Sequence, residues 1–173
     1  MERVHIGDTA NTGKGVFANI RFKKNQVLFK VEGKLKVEAY DFKYWIGARW
    51  FGIGDHTWLS TSRNSYAYYL NHSCNPNSGI RDKVVIVAMR DIEKGEEITL
   101  DYSITEADPY WKMKCKCGTS NCRTTIRSIQ FLPEEVYRGY EPFVPEFLRQ
   151  VRLKVNENSI TKAVIEAIPT KSL

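Results

Sequence analysis

Hydrophobic positions in the first hundred residues fall into short runs. Val27-Leu28-Phe29-Lys30-Val31, Trp58-Leu59-Ser60, Val84 to Met89 and Ile98-Thr99-Leu100 are rich in β-branched and aromatic residues, which suit a pleated, half-buried surface. Turn-forming clusters separate them: Asn11-Thr12-Gly13, Lys24-Asn25, Gly52-Ile53-Gly54-Asp55, Asn75-Pro76-Asn77-Ser78-Gly79 and Glu93-Lys94-Gly95. Short strands with frequent turns predict a mainly antiparallel β fold. A helix over Glu38–Ile46 fits the spacing, against a high aromatic content.

The period changes in the last 45 residues. Pro133 suits a first helical position, and Glu134 and Glu135 follow it at the positive end of the helix dipole. Val136, Tyr137 and Tyr140 then share a face. A second helix is expected from Pro145, with Phe147, Leu148 and Val151 as its apolar stripe. A third runs from Ser159 to Pro169, with Ile160, Ala163, Val164, Ala167 and Ile168 on one side. The stretch 154–158 reads as a polar linker.

A length of 173 residues, 42% apolar and 27% charged, fits one domain with a short tail. No apolar run approaches the roughly 20 residues of a membrane span. The first residues, Met1-Glu2-Arg3-Val4-His5, lack the apolar core of a secretory signal. The last three, Lys171-Ser172-Leu173, are in the wrong order for a peroxisomal address. A soluble intracellular protein is expected, cytoplasmic or chromatin-associated. Net charge is +6 but uneven. Residues 1–60 carry 10 Lys/Arg against 6 Asp/Glu, residues 61–110 carry 5 against 8, and residues 111–130 carry 5 against none. No run of five like charges marks a nucleic-acid-binding arm. If the acidic middle segment lines a cleft, that cleft favours a cationic substrate.

Three of the four cysteines form Cys115-Lys-Cys117-Gly-Thr-Ser-Asn-Cys122. Without a secretion signal a disulfide framework is not expected. Tetrahedral zinc takes four soft ligands, and the count is met if Cys74 joins from its distant loop. With no vacant position such a zinc is structural. Lys114, Lys116 and Arg123 would offset the thiolate charge. The plain alternative is four unrelated reduced thiols.

Three further stretches carry candidate chemistry. Tyr68-Tyr69-Leu70-Asn71-His72-Ser73-Cys74-Asn75-Pro76-Asn77 is a dense polar turn beside an aromatic run, although a lone histidine such as His72 is more often structural. Asn11-Thr12-Gly13-Lys14-Gly15-Val16 lacks the third glycine of a dinucleotide fingerprint. It reads as a tight turn, or as backbone that a ligand can approach closely. Asp91 to Tyr102 reads as a turn, a strand and an Asp101-Tyr102 end, with Glu96-Glu97 as a solvated turn or a carboxylate pair.

Taken in order, these stretches resemble a SET-domain protein-lysine methyltransferase with a zinc-binding post-SET segment, over roughly residues 3–125. The compact size and the Cys122-Arg-Thr-Thr-Ile continuation are similar to small microbial members. The resemblance implies a mainly β, β-clip-like fold of short curved sheets with a knot-like threading and a helical C-terminal extension. It divides the chain into a SET domain (1–104), a post-SET segment (105–128) and the extension (129–173). It implies S-adenosylmethionine as methyl donor, held by Gly13, Lys14, Gly15, Val16, Asn71 and His72. Tyr102 is implied as the catalytic tyrosine, and Cys74, Cys115, Cys117 and Cys122 as ligands of a structural zinc. The implied reaction is in-line methyl transfer to a lysine of a protein substrate, a histone tail or another basic protein, with no membrane and no nucleic acid required. The alternative is an inactive SET-like module that binds basic tails, which would be expected to have lost Tyr102 or the Asn71-His72 pair. The C-terminal helices offer a substrate-docking face or a homodimer contact.

Two positions depart from the family pattern. Tyr68-Tyr69-Leu70 replaces Arg-Phe-Ile before Asn71. Leu100 stands two before Tyr102, where Phe or Tyr is usual, and implies room for di- or trimethylation. The aromatic residues Trp50, Trp58, Tyr66, Tyr68, Tyr69 and Trp111 could supply a lysine channel.

Overall fold

The computed structural model describes residues 2–10, 12–37, 49–54 and 56–154. The helices expected over Glu38–Ile46 and from Ser159 lie outside the described residues.

Among the described residues twelve short strands form four small sheets. Strands β1 (Val4–Thr9) and β2 (Gly13–Ala18) make a hairpin whose closing pair is Thr9 with Gly13. Gly13 closes it at φ +83°, a backbone angle that favours glycine. Strand β10 (Glu97–Leu100) adds antiparallel to β2, and the two-residue strand β7 (Asn71–His72) pairs with β10 in parallel. A second sheet has the order β3 (Val27–Lys30), β9 (Val85–Ala88), β8 (Ser78–Arg81). In the third, β4 (Lys34–Val37), β6 (Thr57–Thr61) and β5 (Arg49–Gly54) lie in that order. Strands β11 (Lys112–Lys114) and β12 (Thr125–Arg127) form a separate hairpin over the cysteine-rich loop.

All four strand runs expected from the sequence are present, within a residue or two at their ends. Pro133 precedes helix α2 (Glu134–Tyr140) as its N-cap rather than opening it. Residues 146–154 are helical, as expected after Pro145. A single turn, α1 (Tyr66–Tyr69), leads directly into β7 and is capped by the Ser65 hydroxyl, which accepts from the Ala67 amide.

The core gathers side chains from these small sheets: Val16, Phe22, Ile80, Ile86, Ile92, Ile98, Leu100 and Ile104 are 1% exposed or less. Removing each from water is worth about 1.5–3 kcal/mol, which offsets the chain entropy of ordering many short elements. The C-terminal extension joins the same core through Ile129, Tyr140 and Leu148. Its backbone is pinned as well, because the Ile80 amide donates to the Phe143 oxygen at 2.8 Å. Arg152 is 6% exposed, donates to the oxygens of Ile129 and Leu132, and pairs with Glu134. Among the described residues no helix is long and apolar enough to cross a membrane.

Candidate active site and cysteine cluster

The parallel pairing of β7 with β10 places two sequence-distant motifs side by side. Asn71 faces Thr99 and His72 faces Leu100 across the ladder. Tyr102 follows at the start of a 3-10 turn, Tyr102–Thr105, which the Asp101 carboxylate caps by accepting from the Ser103 amide at 3.0 Å. The Tyr102 amide donates to His72 Nδ1 at 3.2 Å, and its hydroxyl donates to the Leu70 oxygen at 2.7 Å.

The tyrosine lines a cavity of about 240 Å³ together with Trp50, Phe51, Leu70, Leu100 and Trp111. Arg49 and Glu106 bring charge to the same cavity. Arg49 Nη1 lies 3.4 Å from the Tyr102 hydroxyl, and its guanidinium sits over the Tyr68 ring. Burial pushes the Tyr102 phenol above its ordinary pKa, while the Arg49 guanidinium pulls against that rise. Burial likewise raises the Glu106 carboxyl, opposed by the Asp108 and Ala107 amides that donate to it at 2.9 Å.

Of the aromatic residues expected in a channel, Trp50 and Trp111 line this cavity. Trp58 packs edge-on against Trp50, Tyr66 packs on Phe29, and Tyr68 and Tyr69 pack on each other. The acidic middle segment does not wall the cavity: of its eight carboxylates only Glu106 lines it. Asp91 pairs with Arg21 and Lys23, Glu93 with Arg21, Glu96 with Arg90, and Asp101 with Arg123.

Around the glycine hairpin the geometry is that of a clamp. The two N–H bonds of Asn71 Nδ2 are shared among the Thr12 hydroxyl, the Lys14 oxygen and Glu97 Oε1, which lie 2.8–2.9 Å away. Asn71 Oδ1 has no hydrogen bond among the described residues and remains an open acceptor. Gly15 lies under this clamp. A β-carbon there would stand 2.5 Å from Glu97 Oε1, 2.7 Å from Thr9 Cγ2 and 3.1 Å from Asn71 Nδ2. Gly13 lies in the open, with nothing within 4 Å of such a carbon. Lys14 points outward and pairs with Asp8. Val16 is fully buried between Ile6 and Ile98 in the ladder, so its side chain belongs to the core.

His72 links the tyrosine to the cysteines. Its Nε2 lies 3.3 Å from Cys74 Sγ, and burial pulls its pKa down to about 4 against the opposing pull of Asp101. A neutral ring that accepts from Tyr102 at Nδ1 carries its proton on Nε2, directed at the Cys74 sulfur.

Donor atoms of His72, Cys74, Cys115 and Cys117 lie within 4.8 Å of one another. Cys74 and Cys115 sulfurs are 3.7 Å apart, close to the ~3.8 Å edge of a tetrahedron built on a 2.3 Å zinc–sulfur bond. Cys122, the fourth cysteine expected as a ligand, is not among these four, and its amide donates to the Thr119 oxygen at 3.0 Å. The donors that the structure brings together are therefore one imidazole and three thiols, a set compatible with zinc. Cys74 also accepts from the Arg123 amide at 3.3 Å and its Nε at 3.5 Å, a cationic partner suited to a thiolate.

Residues 13–103 match the SET domain family. The chain belongs to the SET-domain family. This SET chain is 28% identical over 145 residues to "Histone-lysine N-methyltransferase TRX1" of Oryza sativa subsp. japonica, covering 74% of the chain and 14% of the relative. It is 31% identical over 126 residues to "Histone-lysine N-methyltransferase, H3 lysine-4 specific" of Emericella nidulans, covering 63% and 10%. Human "Histone-lysine N-methyltransferase 2D" is 40% identical over 76 residues, which are 40% of the chain and 1% of the relative. The chain thus spans about a seventh or less of these relatives.

Arg49, Glu106 and Tyr140 are site residues that no sequence motif marked, and Glu97 was singled out only as half of the Glu96-Glu97 pair. A local signal existed only for Glu97, next to the glycine turn of the Asp-Tyr motif. The others reach the site from separate elements.

Proposed function

We propose that this SET chain transfers the methyl group of S-adenosylmethionine to the side-chain amine of a lysine in a protein substrate. The observation that carries the reading is Tyr102, held at both its amide and its hydroxyl, in an apolar cavity beside the Asn71 clamp. Family membership supports it, and so do the activities for which the relatives are named. Tyr102 and the Asn71–His72 pair are all present, which speaks against the binding-only alternative.

S-Adenosylmethionine supplies an electrophilic methyl on a sulfonium. The protein's task is then to position a neutral amine and exclude water. Trp50, Phe51, Leu70, Leu100 and Trp111 give the lysine stem an apolar wall. Arg49 disfavours an ammonium at the cavity floor, which favours the neutral amine as nucleophile. Glu106 offers the cationic form a partner on entry. The open Oδ1 of Asn71 can accept from the amino group of the methyl donor, beside the main chain of Gly13 and Lys14. Val16 and His72 belong to this cofactor region through packing and through the Tyr102 link.

Cys74, Cys115, Cys117 and Cys122 are our ligand set for a structural zinc, which would tie residues 105–128 to the Asn-His segment. Residues 1–104, 105–128 and 129–173 then act as SET core, post-SET clasp and extension. The substrate class is a histone tail or another basic protein, which puts the enzyme at chromatin or on a basic cytoplasmic target.

The test is methyl transfer from labelled S-adenosylmethionine to a pool of basic proteins, followed by hydrolysis to amino acids. Labelled N-methyl-lysine is expected. Cofactor binding without any labelled lysine would favour the tail-binding module, and absent cofactor binding would sink the reading.

A further inference from the structure

We propose that Tyr140, in the C-terminal extension, is a positioning residue for Tyr102 and acts through the buried carboxylate of Asp101. The inference rests on the methyl-transfer reading and assigns a role to a segment outside residues 13–103.

Asp101 is 0% exposed and stands between Leu100 and Tyr102 in the chain. A carboxylate removed from water is tolerated only when its oxygens are satisfied. Oδ2 accepts from Arg123 Nη2 at 2.5 Å and from the Tyr140 hydroxyl at 2.9 Å. On the other side, Oδ1 accepts from the Ser103 amide at 3.0 Å and lies 3.6 Å from His72 Nδ1. Two donors on Oδ2 therefore fix the direction of Oδ1. Oδ1 in turn caps the 3-10 turn that carries Tyr102, whose amide rests on His72.

Arg123 cannot do this alone. Its guanidinium is shared with Cys74 Sγ and the Ser103 hydroxyl, so it follows the cysteine loop as well as the carboxylate. Tyr140 has no such divided attachment. Burial, then the neighbouring Asp101 charge, hold its phenol well above the ordinary pKa, and it stays a donor. The carboxylate consequently has one anchor that depends on the cysteine loop and one that does not.

The helix bearing Tyr140 does not need this bond to stay docked. Tyr137 packs under the Arg152 guanidinium, Leu148 is fully buried, and Phe143 holds Ile80 through the backbone. Tyr140→Phe removes one oxygen and keeps the ring.

The experiment compares kcat, KM and the tryptophan emission spectrum for the unmodified protein, Tyr140→Phe, Tyr102→Phe and the double variant, with Tyr137→Phe as control. In Tyr140→Phe, kcat should fall about tenfold, with both KM values within about twofold and an unchanged spectrum. On the Tyr102→Phe background the same change should cost less than about twofold, because its effect passes through Tyr102. Tyr137→Phe should leave kcat unchanged. Unaltered kcat in Tyr140→Phe, an equal fall in both backgrounds, or a fall that accompanies a shifted emission spectrum would each overturn the proposal. Failure of the unmodified protein to transfer methyl would instead remove the reading beneath it.

Discussion

The hydroxyl of Tyr102 donates to the main-chain oxygen of Leu70, 2.7 Å away, in the residue just before the Asn71-His72 strand. The bond commits the hydroxyl proton to Leu70, and the phenol oxygen keeps acceptor capacity that Arg49 Nη1, 3.4 Å away, takes up only in part. Tyr102→Phe should lower kcat by about 100-fold or more, in the range found when one preorganised polar group is removed from a transition state. Stability should fall by only about 1 kcal/mol, the worth of one hydrogen bond. Initial rates and urea melts on the same preparation measure both. A kcat within threefold of the parent would remove Tyr102 from catalysis.

Leu100 sits 1% exposed on the cavity wall, one strand position from the Asp101-Tyr102 pair. It has no hydroxyl to hold a water where a second or third methyl must fit. The unmodified protein should therefore carry lysine to the di- or trimethyl state, and Leu100→Tyr should stop it at monomethyl. Overpacking by the larger ring should cost about 1–3 kcal/mol of stability. Mass spectrometry at exhaustive turnover reads the product, and monomethyl product from the parent would sink the idea.

The parts of this site that the sequence revealed are those that lie together in the chain. Asn71-His72-Ser73-Cys74 and Asp101-Tyr102 each hold several polar groups in one short stretch, so their types and order could be read directly. Hydrophobic runs such as Val84 to Met89 were legible for a similar reason, since each is a complete strand. The β7 strand was not, because two residues carry no periodicity. The β1–β2 hairpin was hidden by Gly13 and Gly15, which read as a turn although the five β2 residues after Gly13 all continue as strand. Arg49 and Tyr140 reach Tyr102 and Asp101 from 53 and 39 residues away. Only tertiary packing selects them from 26 Lys/Arg and nine tyrosines. Charge by segment misled for a related reason: four of the eight acids of residues 61–110 are held in ion pairs, three of them with cations outside the segment, and a net count cannot see pairing.

The two glycines of the hairpin should respond differently to alanine. In Gly15→Ala the new carbon meets Glu97, Thr9 and the Asn71 amide, and the clamp must open. Cofactor affinity should fall at least tenfold, read by calorimetric titration with S-adenosylmethionine. Gly13→Ala meets no neighbour but must hold φ +83°, at about 1 kcal/mol of strain. Its affinity should stay within about threefold. Equal losses would mean that the clamp does not govern the cofactor site.

Metal removal should act on the substrate side through Trp111, just ahead of β11, and Met113 within it, which line the cavity close to Cys115. One zinc per chain is expected by elemental analysis. Chelation should lower the melting temperature and raise KM for a peptide substrate several-fold, because the wall formed by residues 111–113 loses its tether. Cys122→Ser should reproduce a weaker form of the same change. Full metal content in Cys122→Ser, with loss in His72→Gln, would move the fourth ligand to the histidine.

Arg49 supplies the clearest pH prediction. Its guanidinium, 3.4 Å from the Tyr102 hydroxyl, pulls down both the phenol pKa and that of any amine brought to the same point. The reactive amine must be neutral, so the acid limb of the pH–kcat profile marks its deprotonation in the complex. Arg49→Met keeps the apolar stem and removes the charge. The amine then holds its proton to higher pH, and the acid limb should move upward, by about one unit if the interaction is worth about 1.4 kcal/mol. Tyr102 loses the same opposing charge, so an alkaline limb set by its ionisation should move upward too. A profile shifted as a whole, with its maximum conserved at higher pH, is the expected signature. A lower maximum with unmoved limbs would mean that Arg49 only packs against Tyr68 and has no electrostatic hold on the reacting centre.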